Sequence, residues 1–467
     1  MKVKFCGATT GVTGSCHLLK VSGHNILLDC GQFQGGKNQD ELNYEDFPFN
    51  PKEIDCVVLS HAHINHCGRL PLLVKRGFSG PIYCTKATAD LLPIMLRDSG
   101  YIHEKEAEWK TKKAEKKGEP KVLPLYTVDD AERSFKYITP MKYDEEFAIN
   151  DNISVRFRDA GHILGSAMVE MWLSEKGINK KLVFSGDIGM KHRPILKDPT
   201  MIKEADFVIM ETTYGDRVHP QNAMSIDTLL AEILKTVKRG GTVVIPSFAV
   251  GRTQEMVFEL NKLYDNNPEV ARQLKDVMVY IDSPMASAAT EVFKKNPDVF
   301  DEETKSYIKA GDDPLHFKNL KFTHSTEESK ALNVNKKPKI IISASGMCEA
   351  GRIRHHLRHN LADPKNTVIF VGFQADYTLG RKLINGADSV RLFDEEIPVN
   401  AEIVNLEGFS GHADRDGLAE WIGGFNSKPK IFLVHGEDRG KRAFAEFIDE
   451  KYGVKPVVIM ENSEFNL

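Results

Sequence analysis

A short apolar strand, Cys56–Ser60, runs directly into Ser60-His61-Ala62-His63-Ile64-Asn65-His66-Cys67-Gly68. Packing alone does not account for such a stretch, because three imidazoles within one tight turn would each need a hydrogen-bond partner if buried. While the chain stays extended, His61 and His63 point to the same side. His66 then falls at the following helix start and faces a neighbouring point. The arrangement suits two metal ions sharing one cleft, with neutral imidazole as a preferred zinc ligand. A chain built around this loop has to set polar groups at the end of a buried strand.

The surrounding sequence repeats that design. Lys2–Phe5, His17–Val21, Asn25–Asp29, Asn152–Phe157, Ala167–Leu173, Lys181–Ser185 and Ala205–Met210 read as short strands with polar clusters just beyond them. Leu70–Arg76 has a helical pattern. From about Thr242 the texture changes. Thr242–Pro246, Val277–Asp282, Lys339–Ala344 and Thr367–Gly372 are buried-type strands followed by turns and helical stretches, which suggests a mainly parallel sheet. After Pro398 the short-strand texture returns with Glu402–Leu406 and Lys430–Val434. A chain of 467 residues exceeds what one core usually organises. The expected organisation is an α/β chain in three stretches, 1–215 and 395–467 forming one domain and 216–394 an inserted second one.

Composition mainly excludes. Lys+Arg 62 against Asp+Glu 66 leaves a net charge of −4, so no global basic field attracts nucleic acid. The seven cysteines are scattered without a CxxC, which fits a reducing compartment and neither a zinc knuckle nor a disulfide framework. No apolar run approaches the roughly 18 residues of a membrane span, and the start lacks the apolar core of a signal peptide. No membrane association and a cytoplasmic location are expected. The segment Glu104–Lys121 is charged and poor in apolar residues. It reads as a solvated helix with i,i+4 pairs and a loop, the alternative being contact with RNA phosphates.

The histidine loop resembles the HxHxDH signature of the metallo-β-lactamase superfamily. Leu28-Asp29-Cys30-Gly31, Asp159-Ala160-Gly161-His162 and Phe184-Ser185-Gly186-Asp187 resemble the other motifs of that superfamily, in order. Met210-Glu211-Thr212-Thr213-Tyr214-Gly215-Asp216-Arg217 looks like motif A of the β-CASP nucleases, Phe409-Ser410-Gly411-His412-Ala413-Asp414 like motif B and Leu433-Val434-His435-Gly436-Glu437 like motif C. The resemblance covers essentially the whole chain. It implies a four-layer αββα metallo-β-lactamase fold with an inserted α/β β-CASP domain, and a likeness to bacterial and archaeal relatives of the mRNA 3′-end cleavage nuclease.

The resemblance also implies roles. His61, His63 and His162 would hold a first Zn2+, with Asp187 bridging to a second held by His66, His435 and residue 65. Manganese is an alternative occupant. Asp29 would orient the loop from outside the ligand set. Glu211 would partner His412, placed as general acid for the leaving oxygen. At one position this chain departs from the pattern: Asn65 stands where the family has Asp. An amide keeps the shape but loses the charge, binding divalent metal weakly. The expectation is a weakened second site and impaired catalysis, through deliberate inactivation or through natural divergence.

The implied substrate is single-stranded RNA, with a homodimer left open. A catalytically silent RNA-binding or scaffold homologue is the alternative, supported by Asn65. Another hydrolase of the same fold is a third reading, against which motifs A, B and C argue. In the inserted domain, the Gly-rich turns containing Ser247, Arg252, Ser345 and Gly346 have the form of phosphate-facing helix starts. The helix beyond, with Arg352, Arg354, His355, His356, Arg358 and His359, either tracks an RNA backbone or is a solvated basic face. Phe373-Gln374-Ala375-Asp376-Tyr377-Thr378-Leu379-Gly380 is another such turn, whose aromatics have the form to stack a base, with Phe373 read instead as a packing residue.

Overall fold

In the strand Lys2–Phe5, Val3 and Phe5 are fully buried while Lys2 and Lys4 turn away. In Ile153–Asp159, Ile153, Val155 and Phe157 point inward while Ser154, Arg156 and Arg158 do not. Such alternation buries one face of a sheet and leaves the other for a helix layer or solvent. The computed structural model describes residues 1–35, 37–219, 226–372, 374, 377–406 and 410–467, and these divide into two units. One comprises 1–191, 197–218 and 412–467; the other comprises 192–196 and 219–411. Phe373, Ala375, Asp376 and Phe409, singled out in the sequence, lie outside the described residues.

In the first unit two seven-stranded sheets lie face to face. The first runs Glu464–Asn466, Lys2–Phe5, His17–Val21, His24–Leu28, Cys56–Val58, Ile82–Thr85, Ile138–Met141. The second runs Val457–Val458, Lys430–Val434, Phe207–Glu211, Ile178–Phe184, Ala167–Glu175, Ile153–Asp159, Glu146–Asn150. Phe5, Leu19, Leu28 and Val58 from one meet Phe157, Val169, Phe184 and Phe432 from the other in a continuous core. On the far side of the second sheet, Met210 and Leu433 pack against Trp421 and Phe444 of the helices Arg415–Gly423 and Asp438–Tyr452. The helices Leu70–Lys75, Lys86–Glu115 and Val128–Ser134 layer the first sheet. This is the four-layer α/β/β/α arrangement.

The register of this unit determines where its polar strand ends emerge. His24–Leu28 and Cys56–Val58 are parallel neighbours with Leu28 opposite Val58, so Asp29 and Ser60 come out together. Phe184, Ile209 and Phe432 are in register across three parallel strands, which brings Asp187, Glu211 and His435 to one end of the second sheet.

The second unit is built on a parallel sheet in the order Leu320–Phe322, Met278–Ile281, Lys339–Ser343, Thr242–Pro246, Thr367–Phe370, Glu402–Asn405. Its central strands are uninterrupted apolar runs because both faces are buried. One expectation changes here. The segment from 395, read from sequence as a return to the first domain, stays with the inserted unit as far as Gly411. Its strand Glu402–Asn405 pairs in parallel with Thr367–Phe370. A short strand carries no mark of which sheet it joins, and hydrogen bonding decides it. The strap 192–196 also belongs to this unit, through the Ile195 carbonyl and Asp301 N–H.

His17 is fully buried between Phe5 and Phe184, edge to face with both, and neither ring nitrogen has a hydrogen-bond partner among the described residues. Burial holds the ring neutral, lowering its pKa to about 3. Replacing it with an apolar ring removes two unsatisfied polar atoms. His17→Phe is expected to raise stability by about 1 kcal/mol, read as a higher midpoint in denaturant unfolding; a lower midpoint would mean the imidazole is satisfied in solution.

Candidate metal centre

The loop after Cys56–Val58 is held by a carboxylate that faces away from the centre. Asp29, fully buried at φ +61°, accepts from the Ser60 N–H (2.8 Å), the Ser60 hydroxyl (3.0 Å) and the Ser15 hydroxyl (2.9 Å). Its Oδ2 also lies 2.7 Å from His66 Nδ1. That bond fixes the His66 tautomer and leaves Nε2 directed at Asp187 Oδ2 (3.2 Å) and His435 Nε2 (3.1 Å). The turn is tight enough that a Cβ on Gly31 would sit 1.7 Å from the Asn65 carbonyl oxygen. Position 31 therefore takes only glycine.

His61 and His63 lie on the same loop, and the remaining donors, His162, Asp187 and His435, arrive from the second sheet. His61 Nε2 and His162 Nε2 each approach His63 Nδ1 at 3.1 Å, and lie 3.5 and 3.6 Å from Asp187 Oδ2. His435, at φ +47°, is set by its N–H to the Ala8 carbonyl, with Nδ1 3.5 Å from Asp187 Oδ1. Thus His61, His63, His162 and Asp187 converge as one group, and His66, Asp187 and His435 as a second. Asp187, Glu211 and His412 form a third, in which His412 Nδ1 lies 3.0 Å from Glu211 Oε2.

These groups fit divalent cations. Both oxygens of Asp187 are buried and neither has a hydrogen-bond partner among the described residues, a state that costs several kcal/mol for a bare carboxylate. Converging unprotonated nitrogens repel one another similarly unless a cation lies among them. Burial holds His61 and His63 neutral, His63 down to about 3, and a neutral imidazole is the form that ligates. A nitrogen-rich set sharing one carboxylate is what zinc prefers.

Beside the centre, Glu211 is fully buried and accepts from the Ile188 N–H (2.5 Å) and the Thr213 hydroxyl (2.5 Å). Burial disfavours the charged form of His412, but Glu211 and Asp187 outweigh it and raise its pKa. The Thr213 hydroxyl also lies 3.1 Å from His435 Nδ1, linking the histidine–glutamate pair to the other donors. The sequence alone does not single out Thr213, although it lies within motif A. Asn65 donates from Nδ2 to the Val12 carbonyl (3.0 Å), and that nitrogen lies 3.0 Å from His435 Nε2.

The expected RNA-facing residues of the inserted unit are mostly committed to it. Ser247 and Arg252 are buried, Ser247 accepting from Thr253 and Arg252 paired with Glu255 at 2.6 Å. Arg352 reaches Asp282 (2.6 Å), and His356, fully buried, lies between Asp282 and Asn333. These interior contacts correct the reading of one continuous basic face. Ser345 closes its own turn on Ala350, and a Cβ at Gly346 would meet the Phe248 ring at 2.9 Å. Arg354 lies over the Phe393 ring (5.1 Å), and Arg358 pairs with Glu395. No described helix is long and apolar enough to cross a membrane.

A four-layer core with this donor cluster at its strand ends defines a hydrolase of the metallo-β-lactamase fold. Three family models match in order: a metallo-beta-lactamase superfamily domain over residues 18–210, a Beta-Casp domain over 253–383 and a Zn-dependent metallo-hydrolase RNA specificity domain over 396–460. Ribonuclease TTHA0252 of Thermus thermophilus is 37% identical over 448 residues, 96% of either chain. Transcription termination factor FttA of Methanocaldococcus jannaschii is 31% identical across 96% of this chain and 69% of its own. An RNase J-like protein of that organism is 32% identical across 95% of this chain and 94% of its own. A solved Enterococcus faecalis protein of unknown function, 13% identical, shares the fold with a TM-score of 0.57 over 100% of this chain and 99% of its own. The chain belongs to the β-CASP family of the metallo-β-lactamase superfamily. The third model begins at 396, before the packing boundary at 412.

Zinc added to the chelator-stripped chain is expected to raise its thermal midpoint in a concentration-dependent way, as any ligand of the native state does. A midpoint that zinc leaves unmoved would mean that this cluster holds no metal.

Proposed function

We propose that this chain is a zinc-dependent ribonuclease that hydrolyses phosphodiester bonds of single-stranded RNA, with turnover limited by Asn65. The observation that carries the reading is the convergence of five histidines on Asp187, with a histidine–glutamate pair beside it. The RNA substrate rests on the ribonuclease relative and on the family's RNA specificity domain.

His61, His63, His162 and Asp187 would hold one zinc, and His66, His435 and Asp187, with Asn65, the other. Metal bound there supplies a nucleophile at neutral pH and neutralises charge on the phosphate. Hydrolysis forms a bond from water oxygen to phosphorus and breaks the bond to the leaving ribose oxygen. His412 gives its proton to that oxygen, which would otherwise leave as a strongly basic alkoxide. Glu211 holds the His412 ring and favours its charged form, and is itself kept in place by Thr213 and the Ile188 N–H. A carboxylate at position 65 would take the proton of the attacking water, which an amide cannot do.

Asn65 also supports a second reading, an RNA-binding homologue that turns over little. The two diverge on one measurement. The chain is expected to bind single-stranded RNA while cleaving it slowly, and Asn65→Asp to raise cleavage by orders of magnitude together with retention of the second zinc. Adding His412→Ala to Asn65→Asp should lower cleavage about 10²–10⁴-fold with the zinc content unchanged. Brisk cleavage by the Asn65 chain itself would refute this account of the site; no gain on Asn65→Asp would favour the binding homologue.

A further inference from the structure

The helix Lys86–Glu115 has one face built into the first unit and another that the fold does not use. Its inner side buries Leu96, Ser99, His103, Ala107, Thr111 and Ala114. There His103 Nε2 lies 3.2 Å from Gln32 Oε1, and the Gln32 N–H bonds to the carbonyl of Ile64 in the histidine loop. The helix is thus joined through one residue to the segment that carries His63 and His66.

On the opposite side, Tyr101 is 53% and Trp109 56% exposed. So much exposure is unusual for tryptophan, which is highly buried on average. Each ring is followed four residues on by a lysine whose Nζ lies near it, Lys105 at 5.5 Å from the Tyr101 centroid and Lys113 at 3.6 Å from that of Trp109. The order aromatic, cation, aromatic, cation therefore advances by about 6 Å per step along one side of the helix.

The charge beyond Trp109 is predominantly positive. Lys110, Lys112, Lys113, Lys116, Lys117 and Lys121 stand against Glu115 and Glu119, in a chain whose net charge is −4. Three carboxylates just before Trp109 are engaged, Glu104 with the Val128 N–H, Glu106 with Lys110 and Glu108 with Lys105. Lys112, Lys116 and Lys117 are exposed and make no ion pair among the described residues.

We propose that this face binds single-stranded RNA outside the metal centre, Tyr101 and Trp109 stacking bases and the neighbouring lysines contacting phosphates. The inference rests on the ribonuclease reading above and extends it to a second contact with the same strand. Alternating π-faces and cations match a ligand whose own groups alternate between flat bases and phosphates. A protein partner would call for an aliphatic stripe, and Ile102 is the one large aliphatic exposed on this stretch.

The test is anisotropy with labelled oligouridylates of about 6 and about 30 nucleotides, lengths near the lower end of and well above the usual extent of one single-strand site. The full chain is compared with its Tyr101→Ala/Trp109→Ala variant. Both positions are exposed, so folding is expected to survive, and circular dichroism checks it. The variant should lose at least about fivefold in affinity for the long RNA per stacked base removed. Lys112→Gln/Lys113→Gln/Lys116→Gln should flatten the dependence of long-RNA affinity on salt, by about 0.7 in log–log slope for each phosphate no longer neutralised. In the unaltered chain, long RNA should quench tryptophan emission, because Trp421 is buried and Trp172 lies beneath Arg156 and Lys181. If the chain binds RNA and the aromatic variant binds the long strand equally well, this face is only solvated and the inference falls alone. If the chain binds neither length, the ribonuclease reading falls and the inference with it.

Discussion

The carboxylate of Asp29 holds the Ser15 turn against the loop that runs from the Ser60 strand end to the His66 helix. Nothing about it is catalytic. Because His24–Leu28 runs parallel to Cys56–Val58 and antiparallel to His17–Val21, one buried group at its end bonds to the outgoing chain of the one and the incoming chain of the other. Its bond to His66 Nδ1 determines which nitrogen is left to face Asp187, and a ring turned the other way would present a protonated nitrogen to the metal. With the loop anchored from beneath, the donors of the second sheet meet ligands that are already oriented.

The inserted unit repeats the device with the opposite result. Asp282, fully buried at the end of Met278–Ile281, receives Ser329, Thr323 and Arg352 and lies 2.6 Å from His356 Nε2. Burial alone would raise its pKa, and those four partners hold it well below the usual carboxylate range instead. Here the second imidazole nitrogen is used as well, His356 Nδ1 lying 2.9 Å from Asn333 Oδ1. A histidine with both nitrogens engaged inside the protein has none for a ligand. The same pairing of acid and histidine builds a metal site in one unit and a structural lock in the other.

That difference explains what could be read from the sequence. The spacing of His61, His63 and His66 and the ordered motifs around Asp187, Glu211, His412 and His435 lie at strand ends, where local pattern and tertiary position coincide. Alternation in Lys2–Phe5 and the apolar run of Lys339–Ser343 likewise announced a half-buried and a fully buried strand. The chemistry of Arg252, Arg352 and His356 was not visible, because whether a basic residue is free depends on a carboxylate elsewhere in the chain. Asp282 lies 70 residues from Arg352 and 74 from His356. Glu402–Asn405 posed the same difficulty for a strand, since its hydrogen-bond partner is decided only once both sheets exist.

At Asn65 the shape of the centre and its charge come apart. The amide nitrogen donates to the Val12 carbonyl at 3.0 Å, so the loop Gly7–Gly14 presents an acceptor to that position. A carboxylate held in the same rotamer would set an anionic oxygen against the carbonyl oxygen, an unfavourable contact that metal coordination can offset by drawing the charge inward. The amide needs no metal to be satisfied there. The two residues therefore divide the work differently. A carboxylate there would need a nearby cation to offset that contact, whereas the amide does not. The contacts that set His66 and His435 come from Asp29, Thr213 and the Ala8 carbonyl and not from residue 65. An amide at position 65 therefore differs from a carboxylate in charge and proton acceptance, at a site whose shape is built by other residues.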